Sequence, residues 1–350
     1  MAANLKVDIV KQMENFRLEV QMEAGREPVA LLGGSGSGKS DVLRCIAGTL
    51  TPDEGRILLN GKTFFDSSRH INIPPQRRQI GLLLQSHALF PHMTVRQNIA
   101  VSVRRKDRRV PETMEKLHQF HLEEDADKYP RQISVVQRQR TALARIFASE
   151  PSMLLLDEPL AALDSYLKSQ LEAELQECLS GFEGPVLWAS HDRGEIYRNC
   201  RYVCVLDHGM SQEPVTVAGL IAHPGTESAA RLSGCKNFID AVARGNNNIY
   251  LPKWGVTLRC AYPLPPFLWR VGIRAHQVHL SEPEHINAFA VDVVRTVEDV
   301  SIMILLLRPS GAALDAPLLR MELEKSDWLS VPDKRHLTVS IGPQDILLLR

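Results

Sequence analysis

The chain has 350 residues with 41 basic and 41 acidic side chains, so its formal net charge is zero when histidine is neutral. An apolar content of 44% and a charged content of 23% are ordinary for a globular protein, and the length suggests two or three domains. The balanced charge argues against a nucleic-acid partner, because it provides neither a basic excess nor an acidic tail.

The six cysteines contain no CxxC pair. We interpret them as small buried apolar side chains rather than zinc ligands, which fits a reducing cytoplasm. No apolar run is long enough to span a bilayer, and the N-terminal segment lacks the core of a signal peptide. If the protein works at a membrane, we therefore expect another chain to supply the spanning segments.

The first half of the chain begins with alternating strand patterns up to residue 32, followed by a glycine-rich turn and a helical segment. GRILLNGKTF predicts a hairpin that turns at Asn60-Gly61, and RRQIGLLLQ predicts a buried strand. Residues 94–127 are polar with helical spacing. A further helix is predicted at residues 137–149, after Ser134 as a good N-cap residue.

The following residues alternate between strands and helices. SMLLLDEP and PVLWAS predict buried strands, a helix at residues 166–179 lies between them, and RYVCVLDHG predicts one more strand. This alternation favours a parallel sheet with crossover helices. After about Gly234 the chain changes to short strands with few helices, which predicts a small β-barrel appended to an α/β domain.

A glycine-rich segment, LLGGSGSGKSD, follows a predicted strand and opens a helix, and it matches G-x-x-x-x-G-K-[ST]. Glycines let successive N–H groups converge on phosphate oxygens, and the helix N-terminus adds positive potential. Lys39 is expected to reach the β- and γ-phosphates, and Ser40 to bind Mg²⁺. The alternative is a glycine-rich turn that binds nothing. The predicted phosphate-binding residues are Gly33, Gly34, Ser35, Gly36, Ser37, Gly38, Lys39, Ser40 and Asp41.

Two carboxylates end the strand MLLLDEP. Asp157 is placed to complete the Mg²⁺ shell, and Glu158 to polarise the attacking water. The alternative is a surface pair that caps a helix. The apolar residues before the pair bury the strand, so we expect both carboxylates at the carboxyl edge of the sheet, where such folds bind ligands.

The ordered motifs resemble those of the ATP-binding subunit of an ABC transporter, and the resemblance covers essentially the whole chain. Gln85 in LLLQSHALFPHMTV resembles the Q-loop, Asp164 in AALD the D-loop, and His191 in ASHD the switch histidine. The segment KYPRQISVVQRQRTALAR occupies the position of the signature motif. The C-terminal barrel resembles the TOBE domain of import-type ATPases.

The resemblance implies an α/β fold of the P-loop NTPase type, with a RecA-like parallel sheet core, a helical subdomain and a C-terminal OB-like β-barrel. The nucleotide-binding domain is placed at residues 1–234, its helical subdomain at about 87–150, and the TOBE-like domain at 235–350.

The implied cofactors are ATP and Mg²⁺. The resemblance gives catalytic roles to Glu158, His191 and Gln85, and Mg²⁺ would be bound by Ser40, Gln85 and Asp157. Phe16 is placed to stack on adenine, with a core position in its strand as the alternative. The residues expected to face the nucleotide of a partner subunit are Ser134, Val136, Gln137 and Asp164.

The segment RLSGCKN at residues 231–237 and the overall length resemble the molybdate-importer branch, with sulfate and related oxyanion importers next. This branch implies a homodimer at the cytoplasmic face of the membrane, although a heterodimer is an alternative. Two permease subunits, contacted through residues 86–95, and an extracytoplasmic binding protein would be its partners.

Two positions depart from the family pattern. The signature usually reads Leu-Ser-Gly-Gly-Gln, whereas Val135 and Val136 replace both glycines here. Extra bulk in a packed contact costs about 1–3 kcal/mol, and loss of aligned donors costs about 10²–10³ in rate. Asp41 stands where the family usually has a threonine that donates to the α-phosphate. Its negative charge is expected to weaken nucleotide affinity.

Three functions therefore remain open. The leading one is an ATPase that drives uptake of an oxyanion, molybdate first. The second, suggested by Val135, Val136 and Asp41, is a nucleotide-binding partner or regulatory subunit with weak or no hydrolysis. The third is a P-loop enzyme unrelated to transport, which the C-terminal barrel disfavours. The barrel itself is expected to serve dimerisation and stability, with binding of a regulatory oxyanion as the alternative.

Overall fold

The computed structural model describes residues 4–84, 88–161 and 164–349. The chain divides into two compact units, Met1–Val217 and Ala218–Arg350. This division lies earlier than the change in composition near Gly234. The intervening residues belong to the second unit, because the guanidinium of Arg274 donates to the carbonyl oxygens of Ile221 and Ser233 at 2.7 Å each.

The described part of the first unit forms one twelve-stranded mixed sheet. Its strands are β1 (Leu5–Gln12), β2 (Arg17–Ala24), β3 (Val29–Leu32), β4 (Glu54–Leu59), β5 (Lys62–Asp66), β6 (Ile71–Asn72), β7 (Ile80–Leu83), β8 (Met153–Asp157), β9 (Val186–Ser190), β10 (Tyr202–Asp207), β11 (Met210–Ser211) and β12 (Val215–Thr216). The order across the sheet is β6-β5-β4-β1-β2-β11-β10-β3-β9-β8-β7, and β12 pairs with β10.

The parallel part of this sheet comprises β10, β3, β9, β8 and β7. Every residue of β3, β8 and β9 is buried, as expected for parallel strands covered on both faces. In the antiparallel part, β2 alternates strictly between exposed and buried residues. The predicted parallel core is confirmed, and it brings the carboxyl ends of β3, β8 and β9 to one edge.

The helices of the first unit are α1 (Lys39–Ala47), α2 (Pro75–Arg78), α3 (Val95–Ala100), α4 (Arg109–Gln119), α5 (Val135–Ala148), α6 (Ser165–Ser180) and α7 (Arg193–Asn199). Helix α5 begins two residues earlier than its apolar spacing predicted, because the capping box between Ser134 and Gln137 includes both valines in the first turn. The predicted hairpin turn is confirmed, with φ values of 51° at Asn60 and 79° at Gly61.

Helix α8 (Val217–Ala222) begins at the division between the units. The second unit then contains α9 (Glu227–Leu232), β13 (Asn237–Asp240), β14 (Val242–Ala243), β15 (Asn248–Leu251), β16 (Val256–Arg259), β17 (Arg270–Ile273), β18 (Val278–Leu280), β19 (Ala288–Glu298), β20 (Ile302–Pro309), β21 (Leu319–Glu324), α10 (Lys325–Ser330), β22 (His336–Ile341) and β23 (Ile346–Leu349).

The largest sheet of the second unit has five antiparallel strands in the order β18-β22-β19-β20-β21. Its two end strands, β18 and β21, contact each other, so the sheet is nearly closed. Two three-stranded sheets, β13-β17-β23 and β14-β15-β16, complete the unit. One apolar core contains Trp254, Leu305 and Val339, all buried. The predicted C-terminal β-barrel is therefore confirmed.

In the described ranges, no helix is long and apolar enough to cross a membrane. All six cysteines carry free thiols, and five of them are buried. Burial raises the pKa of the Cys45 thiol, and that of Cys204, to about 12. These thiols therefore behave as the small apolar side chains that the sequence predicted.

Candidate functional site

The glycine-rich loop connects the buried strand β3 to α1, and three of its glycines are required by geometry. A Cβ atom on Gly33 would lie 2.5 Å from the carbonyl oxygen of Leu206. Gly36 and Gly38 have φ values of 77° and 98°, a region that side chains disfavour. The loop thus turns sharply, and α1 begins at Lys39 with its N-terminal N–H groups at the loop.

Lys39 lies across this loop. Its Nζ donates to the carbonyl oxygens of Gly33 at 2.8 Å and Gly34 at 3.1 Å. Burial lowers the pKa of Lys39, and the negative charges of Glu158 and Asp157 partly oppose this shift. The result is a buried cation enclosed by main-chain groups, an arrangement that suits a polyanionic ligand.

The Ser37 hydroxyl oxygen, in the same loop, is buried and has no hydrogen-bond partner in the described residues. A buried polar atom without a partner is costly unless a ligand or water satisfies it. The loop therefore fits a bound phosphate group.

Ser40 and Asp157 meet where α1 approaches the end of β8. The Ser40 hydroxyl donates to Oδ1 of Asp157 at 3.1 Å. Burial raises the pKa of Asp157, the hydrogen bond from Ser40 opposes the shift, and the charge of Glu158 adds to it. No cluster of three or more histidine, cysteine or acidic residues occurs in the described ranges. One hydroxyl and one carboxylate fit Mg²⁺, which usually takes its remaining ligands from phosphate and water.

Glu158 follows directly and points towards the end of β9. Its φ of 48° is uncommon for a non-glycine residue, and its N–H donates to the carbonyl oxygen of Ala189 at 2.9 Å. Its Oε1 lies 3.0 Å from Nδ1 of His191. Both residues line a cavity of about 160 Å³, and Lys168 lines it too.

The start of α5 lines a second cavity, of about 450 Å³, together with the start of α6. The Ser134 side chain accepts the N–H of Gln137, whose own side chain accepts the N–H of Ser134 at 2.8 Å. Helix geometry supplies no acceptor for the N–H groups of Val135 and Val136. The Asp164 side chain caps α6 and also lines this cavity.

The predicted residues therefore fall into two groups. The first group is linked by side-chain contacts, by the charges that act on Lys39 and by one cavity that two of its members line. It comprises Lys39, Ser40, Asp157, Glu158 and His191. The second group lines the α5–α6 cavity and comprises Ser134, Val135, Val136, Gln137 and Asp164. Gln85, predicted for Mg²⁺ and catalysis, lies outside the described residues.

Phe16 lies beside the loop and is half-buried. Its ring packs 3.2 Å from the position of a Cβ on Gly38, and it also contacts the apolar core of the first unit. Phe16 precedes β2, so the alternative of a core position within a strand is wrong, although the ring does pack against the core. The adenine-stacking interpretation stays a prediction.

Comparison with known proteins identifies the family. A family model described as ABC transporter matches residues 16–161. The molybdate/tungstate import ATP-binding protein WtpC of Archaeoglobus fulgidus is 41% identical over 234 residues, which are 65% of this chain and 94% of that protein. The chain belongs to the ABC transporter family.

Other proteins similar to this ABC protein differ in their named substrates. A sulfate/thiosulfate import ATP-binding protein, CysA of Burkholderia mallei, is 32% identical over 327 residues, covering 90% of this chain and 88% of the relative. Import ATP-binding proteins for spermidine and putrescine also match. The solved dimer of the ATP-binding cassette MJ0796 with ADP and Pi has 25% identity and a TM-score of 0.52, covering 61% of this chain and 98% of that one.

Sequence reasoning missed two basic residues near the candidate site of this ABC protein. Arg44 lies one turn after Asp41, and its Nη1 is 3.4 Å from Oδ1 of Asp41. The i, i+3 spacing on a predicted helix was a sufficient signal for this pair. Lys168 binds the carboxylates of Asp192 and Glu195, which lie on another helix, so no local spacing reveals it.

Proposed function

We propose that this ABC protein is the ATP-binding subunit of an importer and hydrolyses ATP to drive uptake of an oxyanion, with molybdate first and sulfate or a related anion next. The observation that carries the ATP-binding part of the proposal is the contact between Ser40 and Asp157 at 3.1 Å, beside the buried cation of Lys39. A polyanion and a divalent cation together satisfy these three side chains.

In this proposal the loop N–H groups and Lys39 bind the phosphates, while Ser40 and Asp157 hold Mg²⁺. When bound, Mg²⁺ neutralises charge on the phosphate oxygens. Glu158 orients the attacking water and accepts its proton, since its carboxylate lies at the same sheet edge. His191, which contacts Glu158, donates to the γ-phosphate when the nucleotide is present.

The α5–α6 cavity is proposed to receive the nucleotide of a second subunit. The N–H groups of Val135 and Val136, at the N-terminus of α5, are available as donors for an anion. The lining of this cavity includes none of Lys39, Ser40 and Asp157, which supports a site that a second copy completes. We propose a homodimer, with a heterodimer of two related ATPases as the alternative.

Two membrane permease subunits are proposed partners, and the protein would act at the cytoplasmic face of the membrane with an extracytoplasmic binding protein on the other side. The second unit would correspond to the family's TOBE domain. Substrate choice would then reside in the permease and the binding protein. The relatives' names support an importer, and those naming molybdate, tungstate and sulfate support an oxyanion.

A second candidate function is nucleotide binding with weak or no hydrolysis. Val135 and Val136 both line the α5–α6 cavity, and 40% of Val135 is exposed. Their methyl groups therefore occupy space that a closely packed nucleotide needs. Asp41 adds a negative charge in the first turn of α1.

Phosphate release by the purified chain, alone and with its permease, tests the proposal at millimolar Mg-ATP. We expect turnover that rises when molybdate and the binding protein are supplied. If sulfate or spermidine stimulated turnover instead, that compound would replace molybdate as the proposed substrate. Tight Mg-ATP binding without phosphate release would favour the second candidate, and no binding would contradict both.

A further inference from the structure

Lys168, on α6, contacts the beginning of α7 next to His191. Its Nζ lies 2.5 Å from Oδ2 of Asp192 and 2.7 Å from Oε1 of Glu195. The side chains of Lys168 and Glu195 are 22% and 3% exposed, so this ion pair is largely shielded from water. Burial acts to lower the pKa of Lys168, but the two carboxylates outweigh it and raise the pKa overall. Lys168 therefore carries its charge at neutral pH.

Asp192 uses its two carboxylate oxygens for two different contacts. Oδ1 accepts the N–H groups of Gly194 at 2.7 Å and Glu195 at 3.3 Å, which caps α7. Oδ2 binds Lys168. The orientation of the cap, and of the chain directly after His191, thus depends on the ammonium.

The residue before His191 is held by the same network. The Ser190 hydroxyl donates to Oε2 of Glu195 at 2.8 Å and accepts the N–H of Asp192 at 3.0 Å. Glu195 is therefore bound on one oxygen by Ser190 and on the other by Lys168. Both chain neighbours of His191 are consequently tied to one cation, although the His191 side chain itself is 63% exposed.

We propose that Lys168 is a positioning residue that fixes the backbone of His191 so that its imidazole meets the γ-phosphate. The inference rests on the function proposed above. Lys168 lies in the first turn of α6, whose cap, Asp164, lines the α5–α6 cavity. Lys168 itself lines the smaller cavity with Glu158 and His191. Lys168 therefore connects α6, which begins beside the α5–α6 cavity, to the chain around His191.

The first test replaces Lys168 with methionine, which is unbranched and about one atom shorter and removes the charge. A small displacement of a reacting group costs up to about 100-fold in rate, so we expect kcat for phosphate release to fall about 10- to 100-fold. KM and the Kd for Mg-ATP should stay within about twofold. Lys168→Arg, which keeps the cation, should recover most of the turnover. A parallel loss of binding and turnover would mean a general structural role and overturn the proposal.

A double-mutant cycle tests whether Lys168 acts through His191. In a His191→Ala background, Lys168→Met should reduce the remaining turnover no further, because the group it positions is already gone. An equal loss in both backgrounds would overturn the proposal. Lys116→Met is the matched control, since Lys116 is 19% exposed and pairs with Glu115 on α4. It should leave turnover unchanged.

Hydrogen exchange provides a readout that needs no turnover. Lys168→Met should accelerate amide exchange in residues 191–199 and leave residues 39–47 of α1 unchanged. Unchanged exchange in residues 191–199 would overturn the inference by itself. Absence of Mg-ATP binding by the wild type would instead contradict the proposed function, so the two failures are distinguishable.

Discussion

His191 and Glu158 contact each other directly, with Nδ1 3.0 Å from Oε1. They extend from the carboxyl ends of β9 and β8, which are adjacent parallel strands. Only 20% of the Glu158 side chain is exposed, compared with 63% of the His191 side chain. The carboxylate is thus held at the sheet edge, while the imidazole is largely exposed, as the proposed contact with a phosphate oxygen requires.

Replacing His191 with alanine should reduce phosphate release by about 10²–10⁴-fold, because it removes the group that we propose acts on the transferring phosphate. Mg-ATP binding should change by less than about twofold, since Lys39, Ser40 and Asp157 are intact. Steady-state phosphate release and nucleotide titration measure the two effects. His208→Ala, which removes a 96% exposed histidine, is the control. Substantial turnover in His191→Ala would refute the role given to this residue.

Restoring glycine at positions 135 and 136 should increase turnover about 10²–10³-fold if the valines keep the partner's nucleotide from the N–H groups of α5. Stability should fall slightly, because glycine is unfavourable in a helix. Val110→Gly is the control. It places a glycine in the first turn of α4 and so measures only the loss of stability from a glycine near the start of a helix. Robust and equal turnover with valine and glycine would exclude an impaired site.

Asp41→Thr should strengthen Mg-ATP binding about fivefold, since a like charge about 4 Å away costs about 1 kcal/mol in water and 1.4 kcal/mol is tenfold in affinity. Arg44 lies 3.4 Å from Asp41 and offsets part of this repulsion in the wild type. Arg44→Ala should therefore weaken binding more in the wild-type background than in the Asp41→Thr background. Titrations of the four combinations measure the coupling, and additive effects would rule out such compensation.

Asp157→Asn should stabilise the nucleotide-free protein while abolishing its Mg²⁺-dependent nucleotide binding. Burial raises the pKa of Asp157 above its usual 3.8, so the unfolded state ionises first as the pH increases. The ionised Asp157 carboxylate therefore destabilises the folded wild-type protein. This effect is absent below pH 3.8 and complete above the folded-state pKa of Asp157. The melting temperature of Asp157→Asn should thus exceed that of the wild type increasingly from acidic to neutral pH.

Thermal melts without metal across this pH range test the prediction. The control is Asp8→Asn, which removes an exposed carboxylate from β1. A difference in melting temperature between Asp157→Asn and the wild type that narrows as the pH rises would contradict the effect assigned to burial.

The fold and the phosphate loop were predictable because their signals are local. The continuous apolar runs of β3 and β8 required a covered parallel sheet, and glycines with positive φ mark the loop. Ser40 was predicted to bind Mg²⁺ from the loop motif and Asp157 from the end of its strand, and the structure brings their side chains into contact. Local spacing thus predicted most of the residues of the candidate phosphate-binding loop.

The remaining interactions were not predictable because they depend on tertiary placement. Lys168 and Asp192 are 24 positions apart and meet only when α6 and α7 pack together. Arg274 binds the carbonyl oxygens of Ile221 in α8 and of Ser233 after α9, so both helices belong to the second unit although the composition changes only near Gly234. The sequence pattern of one helix does not reveal which neighbour it will contact.

The most direct test is a crystal structure of the full chain with Mg²⁺ and a nonhydrolysable ATP analogue. We predict phosphates surrounded by the N–H groups of residues 33–41, Nζ of Lys39 moved from the loop carbonyls to phosphate oxygens, and one Mg²⁺ near Ser40 and Asp157. The start of α5 from a second copy should cover the γ-phosphate. A loop that stays closed on Lys39, with nucleotide absent at saturating concentration, would contradict the account.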